Sequence, residues 1–158
     1  MQIHPTIYVV TNRRAINGEK SFKEQAEGIL KAKDCEARVV QENVIRKSFS
    51  RSEGIDFLSE NKTQAFVLLD INSMNKQLVQ YYLEEEARLH SEFEDITRSH
   101  GGPRIILFNG TENRLPRNDI EMDYRKAIDE HIAKVAVSFE EAVNLVAENI
   151  IRLASQPV

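Results

Sequence analysis

Residues 65–70 read AFVLLD, five apolar residues that end abruptly at Asp70 and give way to the more polar stretch INSMN. A run this short, apolar at every position and closed by an acid, is the pattern of a strand buried on both faces, as in the interior of a parallel sheet. Four other stretches are likewise short and mostly apolar: residues 6–11 (TIYVVT), 37–41 (ARVVQ), 104–109 (RIILFN) and 134–137 (KVAV). They are β-branched or apolar, and helical patterns lie between them.

The spacing predicts a first helix from Ser21 to about Asp34. Ser21 and Glu24 form a capping box, and Phe22, Ala26, Ile29 and Leu30 share one face. After Ser52, Ile55, Phe57 and Leu58 suggest a short helix, preceded by a loop with Arg46, Lys47 and Arg51. Residues 73–99 carry one long helical pattern through Met74, Leu78, Tyr81, Tyr82, Leu89, Phe93 and Ile96, with a gap at Glu85. About 26 residues of helix would measure roughly 39 Å, far more than a crossover of strand length needs. Leu89, Phe93 and Ile96 would then lie beyond the sheet, where a second copy of the chain is the expected cover. The acidic run Glu84, Glu85 and Glu86 reads as a solvated helix face. Gly101, Gly102 and Pro103 end the pattern. Residues 119–131 read as a weaker helix. Ser138 and Glu141 form a second capping box, which opens a last helix with Ala142, Val143, Leu145, Val146, Ile150 and Leu153 inward.

Strands alternating with helices imply an α/β fold of three layers, αβα, around a five-stranded parallel sheet. The simplest order for this length is the flavodoxin-like 2-1-3-4-5, and the 158 residues form a single domain. Every strand's carboxyl end then faces one rim, where such sheets bind ligands. Thr11, Asn12, Arg13, Arg14, Gln41, Glu42, Asp70, Asn72, Ser73, Asn109, Gly110, Thr111, Glu112 and Ser138 fall on that rim. Asp70 would accept a phosphoryl group, hold a metal or orient a ligand there; alternatively, Asp70 or Asn72 caps the helix that follows. Arg13 and Arg14, with Arg114 and Arg117 across the rim, suit a phosphate or carboxylate.

The rest of the sequence narrows the function class. A net charge of −4 argues against a general nucleic-acid binder. No apolar run approaches the roughly 18 residues of a membrane span, and the start MQIHPTIYVV does not read as a signal peptide. A lone Cys35 suits a reducing cytosol, so the expected location is cytoplasmic. The sequence carries neither the dinucleotide GxGxxG nor a P-loop nor GxSxG. His4, His90, His100 and His131 are scattered, so no metal site and no cofactor are expected.

The run Val67 to Asp70, with its strand–helix order, resembles the response-regulator receiver family, in which the phosphorylated Asp follows the third strand. The resemblance is to a degenerate member. Receivers carry an acidic pair after strand one to bind Mg²⁺, where this chain reads Thr11, Asn12 and Arg13. Asn109 stands where they end strand four in Ser or Thr, and Val137 and Ser138 where they carry Lys. The resemblance implies a non-enzymatic regulatory or protein-interaction domain in signalling, meeting a partner protein or a small anionic ligand, and the overlong pattern over residues 73–99 adds the expectation that it dimerises there. Toll-receptor-like and nucleoside-hydrolase-like α/β domains are similar in size. They imply the alternative, a small nucleotide- or phosphate-ligand enzyme of N-glycosidase or hydrolase type, with Glu42, Glu112 and Asp70 as its catalytic candidates.

Overall fold

The computed structural model describes residues 5–11, 15–16, 20–43, 65–93, 96–110 and 117–155. Its sheet consists of β1 (Thr6–Thr11), β4 (Arg38–Asn43), β5 (Ala65–Asp70), β6 (Ile105–Phe108) and β7 (Ala133–Ala136), all parallel, in the order β4-β1-β5-β6-β7. Among the described residues, two short strands, β2 (Ala15–Ile16) and β3 (Lys20–Ser21), pair with each other, antiparallel. With that ribbon set aside, the order is the expected 2-1-3-4-5. The ribbon itself falls in a stretch that reads as loop, because two-residue strands carry no periodicity.

Side chains alternate across the sheet, and this places the helices. Ile7, Val9, Phe66, Leu68, Ile106 and Phe108 face α1 (Phe22–Ala32) and α6 (Phe139–Ala154). Tyr8, Val10, Val67, Leu69, Ile105 and Leu107 face the other way, toward α2 (Lys76–Glu92), α4 (Arg117–Asp123) and α5 (Arg125–Asp129). Because both faces are covered, β1, β5 and β6 are buried at every position. The edge strands β4 and β7 show outward cations, Arg38 and Lys134, both exposed. At the carboxyl end, Phe22 and Phe139 open their helices and meet edge to face, ring centroids 4.9 Å apart, over Phe108. Each such pair contributes about 0.5–1.5 kcal/mol beyond area burial.

Both capping serines act as the sequence suggests. Ser21 Oγ accepts from the Glu24 N–H at 3.1 Å, and Ser138 Oγ from the Glu141 N–H at 3.1 Å. Glu141 reaches back to the Val137 N–H at 3.0 Å.

The long helix over residues 73–99 is not continuous. α2 covers Lys76–Glu92; Phe93 turns extended (φ −128°, ψ 99°), and a separate one-turn helix, α3, spans Ile96–Ser99. Six-residue strands run only about 20 Å, so an unbroken helix would overshoot the sheet. The break lets Leu89 and Ile96 both pack on the core beneath α2. Of the three residues expected at an interface, Leu89 is therefore buried, Ile96 is partly buried against the same core, and Phe93 remains 47% exposed. Neither Asp70 nor Asn72 caps α2. Asn75 does, its side chain accepting from the Gln77 N–H at 2.8 Å. The acidic run is not a uniform solvated face either: Glu84 is exposed, but Glu85 and Glu86 are buried. The weaker helix over residues 119–131 divides at Tyr124 into α4 and α5. Gly101 and Gly102 do stop the helical segment, with φ of 71° and 152° that favour glycine. The short helix expected after Ser52 lies outside the described residues, as does its basic loop.

Candidate functional site

Parallel strands bring Thr11, Asp70 and the residues after Phe108 to the same end of the sheet. Asp70 sits at the centre, on the middle strand, fully buried. Its Oδ2 accepts from Thr11 Oγ1 at 2.9 Å, and its Oδ1 from the Gly110 N–H at 3.0 Å. The carboxylate thereby joins the ends of three neighbouring strands. Gly110 has a physical reason to be glycine, since a Cβ there would stand 2.5 Å from Asp70 Oδ2. No other residue lets the backbone N–H come so near the carboxylate.

The turn after β5 builds the outer part of the rim. The Ser73 N–H donates to Asp70 O at 3.1 Å, and Ser73 Oγ lies 3.2 Å from the same carbonyl and 3.3 Å from Thr11 Oγ1. Asn72 is exposed, and its Nδ2 donates to Oδ1 of the buried Asn109. Thr11, Asp70, Asn72, Ser73, Asn109 and Gly110 thus form one polar group at the junction of β1, β5 and β6, where the strand order reverses direction. That is the switch point at which open α/β sheets bind ligands. Asn72 is the exposed member of the group, tied to the frame through Asn109. Asp70 lies beneath, holding the frame.

Of the remaining rim candidates, the two whose side chains are described, Gln41 and Ser138, do not join this group. Gln41 turns toward α1, its Oε1 accepting from the Lys23 N–H at 3.1 Å. Ser138 is occupied in capping α6. Glu42 pairs with Val10 through the β-ladder, and its side chain lies outside the described residues. So do Asn12, Arg13, Arg14, Thr111, Glu112, Arg114 and the Arg117 side chain.

The amino end of the sheet holds a buried cluster that sequence reasoning missed. Arg104, just before β6, grips Glu86 of α2 with two hydrogen bonds, Nε to Oε2 at 2.8 Å and Nη2 to Oε1. Burial alone would raise the Glu86 carboxyl, but the hydrogen bonds and charge of Arg104, with His90 close by, outweigh it and hold it below the usual carboxylate range. His90 Nε2 lies 3.6 Å from Glu86 Oε2. Near by, His100 faces Ile96 O with Nδ1 at 2.9 Å, and its Nε2 accepts from the Ala65 N–H at 3.4 Å. A carbonyl can only accept, so the proton is assigned to Nδ1. Burial pushes the His100 imidazole down to about 4, so it is neutral at pH 7. A signal for Glu86 was present: it continues the buried series Val79, Tyr82, Leu83 and Leu89 at helical spacing. The phase that runs through Leu78 and Tyr81 follows half-buried positions instead.

Among the described residues no group of three His, Cys, Asp or Glu side chains is arranged to hold a metal ion, and no helix is long and apolar enough to cross a membrane. Compared with known proteins, the chain matches no protein-family model, and no curated protein matches its sequence.

Proposed function

We propose that this domain works by binding: a receiver-like module that meets a partner or a small anion at its carboxyl-end rim without accepting a phosphoryl group. The observation that carries this reading is the state of Asp70. A phosphoacceptor carboxylate needs a free oxygen in line with phosphorus and a cation to neutralise the developing charge. Asp70 is fully buried, with a hydrogen bond accepted at each oxygen. Thr11, at the position where receivers begin their acidic pair, donates to it instead. Asn72, the exposed residue of this frame, is the one placed to meet a ligand, and Arg13, Arg14 and Arg114 follow β1 and β6 closely in sequence.

Incubation with acetyl phosphate and Mg²⁺ tests the reading. Intact-mass analysis should show no phosphate adduct, and an adduct on Asp70 would overturn it. Regulatory pairing of two copies belongs to the same proposal and rests on Phe93. Light scattering should find a wild-type dimer that Phe93→Glu converts to a monomer; a wild-type monomer removes pairing from the proposal.

The polar group at the switch point also favours a second reading, a site for a nucleotide or another phosphorylated ligand. A ligand at a hundred times its Kd should add about 2.7 kcal/mol of stability. A nucleotide panel that leaves the melting temperature unchanged would remove this reading.

A further inference from the structure

A groove runs between α2 and α5 on the face of the molecule away from α1 and α6. It has a volume of about 190 Å³. Gln80, Leu83, Glu84 and Ala87 form one wall, a single stripe of α2 at helical spacing. Asp123, Tyr124, Lys126, Ala127, Glu130 and Ile132 form the other. The floor is apolar, with Leu83 and Ile132 buried and Ala87, Tyr124 and Ala127 half-buried. Its lip carries three exposed carboxylates, Glu84, Asp123 and Glu130, against one ammonium, Lys126. None of the three carboxylates makes an ion pair among the described residues.

Size and charge together define the occupant. The volume is below the roughly 300–1,000 Å³ of a typical small-molecule pocket. It suits one or two long side chains. An apolar floor with an acidic lip matches side chains that bury an aliphatic stem and keep a cationic head at the water boundary. Half-buried Tyr124 also lines the groove, and an aromatic ring is a suitable neighbour for such a head.

We propose that this groove docks a basic segment of a partner protein, with a Lys or Arg stem laid over Leu83, Ala87 and Ala127 and its charge held between Glu84 and Glu130. The groove is separate from the carboxyl-end rim, so the proposal stands or falls independently of the role of Asp70.

The test uses a fluorescent peptide of alternating Arg and Leu, and a matched Glu and Leu peptide. Fluorescence polarisation at moderate salt should show binding of the basic peptide alone. Glu84→Lys combined with Glu130→Lys should weaken it about tenfold or more, because two attractive charges at the lip become repulsive. Glu27→Lys combined with Glu148→Lys changes net charge equally, at exposed positions on the α1 and α6 face. That control should leave affinity within about twofold, the range for charges beyond a Debye length. Equal weakening by both pairs would mean diffuse attraction to an acidic protein and would overturn the proposal. Absence of binding to the wild type would overturn it too. All four positions are exposed, so folding is not at issue, and circular dichroism of each variant checks this.

Discussion

At the scale of single residues, the Asp70 carboxylate acts as a fastener. It accepts from Thr11 and Gly110, groups on the strand to one side and in the loop after the strand on the other. Asp70→Ala should leave two donors unpaired in a buried place and cost about 1–3 kcal/mol. Asp70→Asn keeps an acceptor for Gly110 and a donor for Thr11, and should cost less. Urea denaturation of both variants measures the difference, and equal stabilities would deny the carboxylate this role. Gly110→Ala attacks the same point from the other side. Its methyl would lie 2.5 Å from Oδ2 and 2.8 Å from Cγ. Because Asp70 is enclosed, neither partner can retreat freely, and a loss of about 1–3 kcal/mol is expected as a lower urea midpoint at unchanged slope. The sequence placed Asp70 at a strand end on the rim, which was legible because the apolar run stops there. It did not reveal that the side chain turns inward, since that depends on Thr11 and Gly110, which lie 59 and 40 residues away in the chain.

At the scale of elements, α2 shows where periodicity informs and where it misleads. Strands buried on both faces have no phase to misjudge, so β1 and β5 emerge from the sequence with the bounds they have in the fold. A helix has a phase and an end, and in α2 the pattern misleads on both. Ile96 returns near the helical spacing of Leu89 even though the chain straightens at Phe93 between them, so the pattern conceals the break. Glu86 looks like a surface residue beside two other acids, yet it is the tie between α2 and the start of β6. A buried ion pair is costly to break because the surviving charge has no partner. Glu86→Ala should therefore destabilise by about 3–5 kcal/mol. Glu86→Leu combined with Arg104→Met should recover most of that loss. Thermal melts of the single and double variants decide the matter; a double variant no better than the single would mean that the pair contributes more than its burial costs.

At the scale of the whole molecule, the amino-end cluster makes stability depend on pH. The His100 imidazole falls from its ordinary 6.5 to about 4 on folding, chiefly by burial, with Arg104, Glu86 and His90 near by. A base whose folded value is depressed binds its proton more readily in the unfolded chain. Its contribution is present above 6.5 and lost as pH falls from 6.5 toward 4, by about 3 kcal/mol in all. Glu86, also depressed, acts in the same direction below its ordinary 4.5. Urea midpoints measured from pH 7 to pH 4 should fall steadily, and His100→Gln should flatten the upper part of the curve. A wild-type curve flat above pH 5 would rule out a neutral buried imidazole. The overall architecture was the most legible level, because alternating strands and helices with right-handed crossovers leave few arrangements. The two margins of the sheet complete the picture. Arg38 on β4 and Lys134 on β7 each set a positive charge on a strand that, among the described residues, has a neighbour on one side alone. Two molecules approaching margin to margin would bring ammonium and guanidinium groups together, so lateral growth into a continuous ribbon is opposed by simple repulsion. Neutralising both margins with Arg38→Thr and Lys134→Thr would remove that repulsion and leave lateral pairing less opposed.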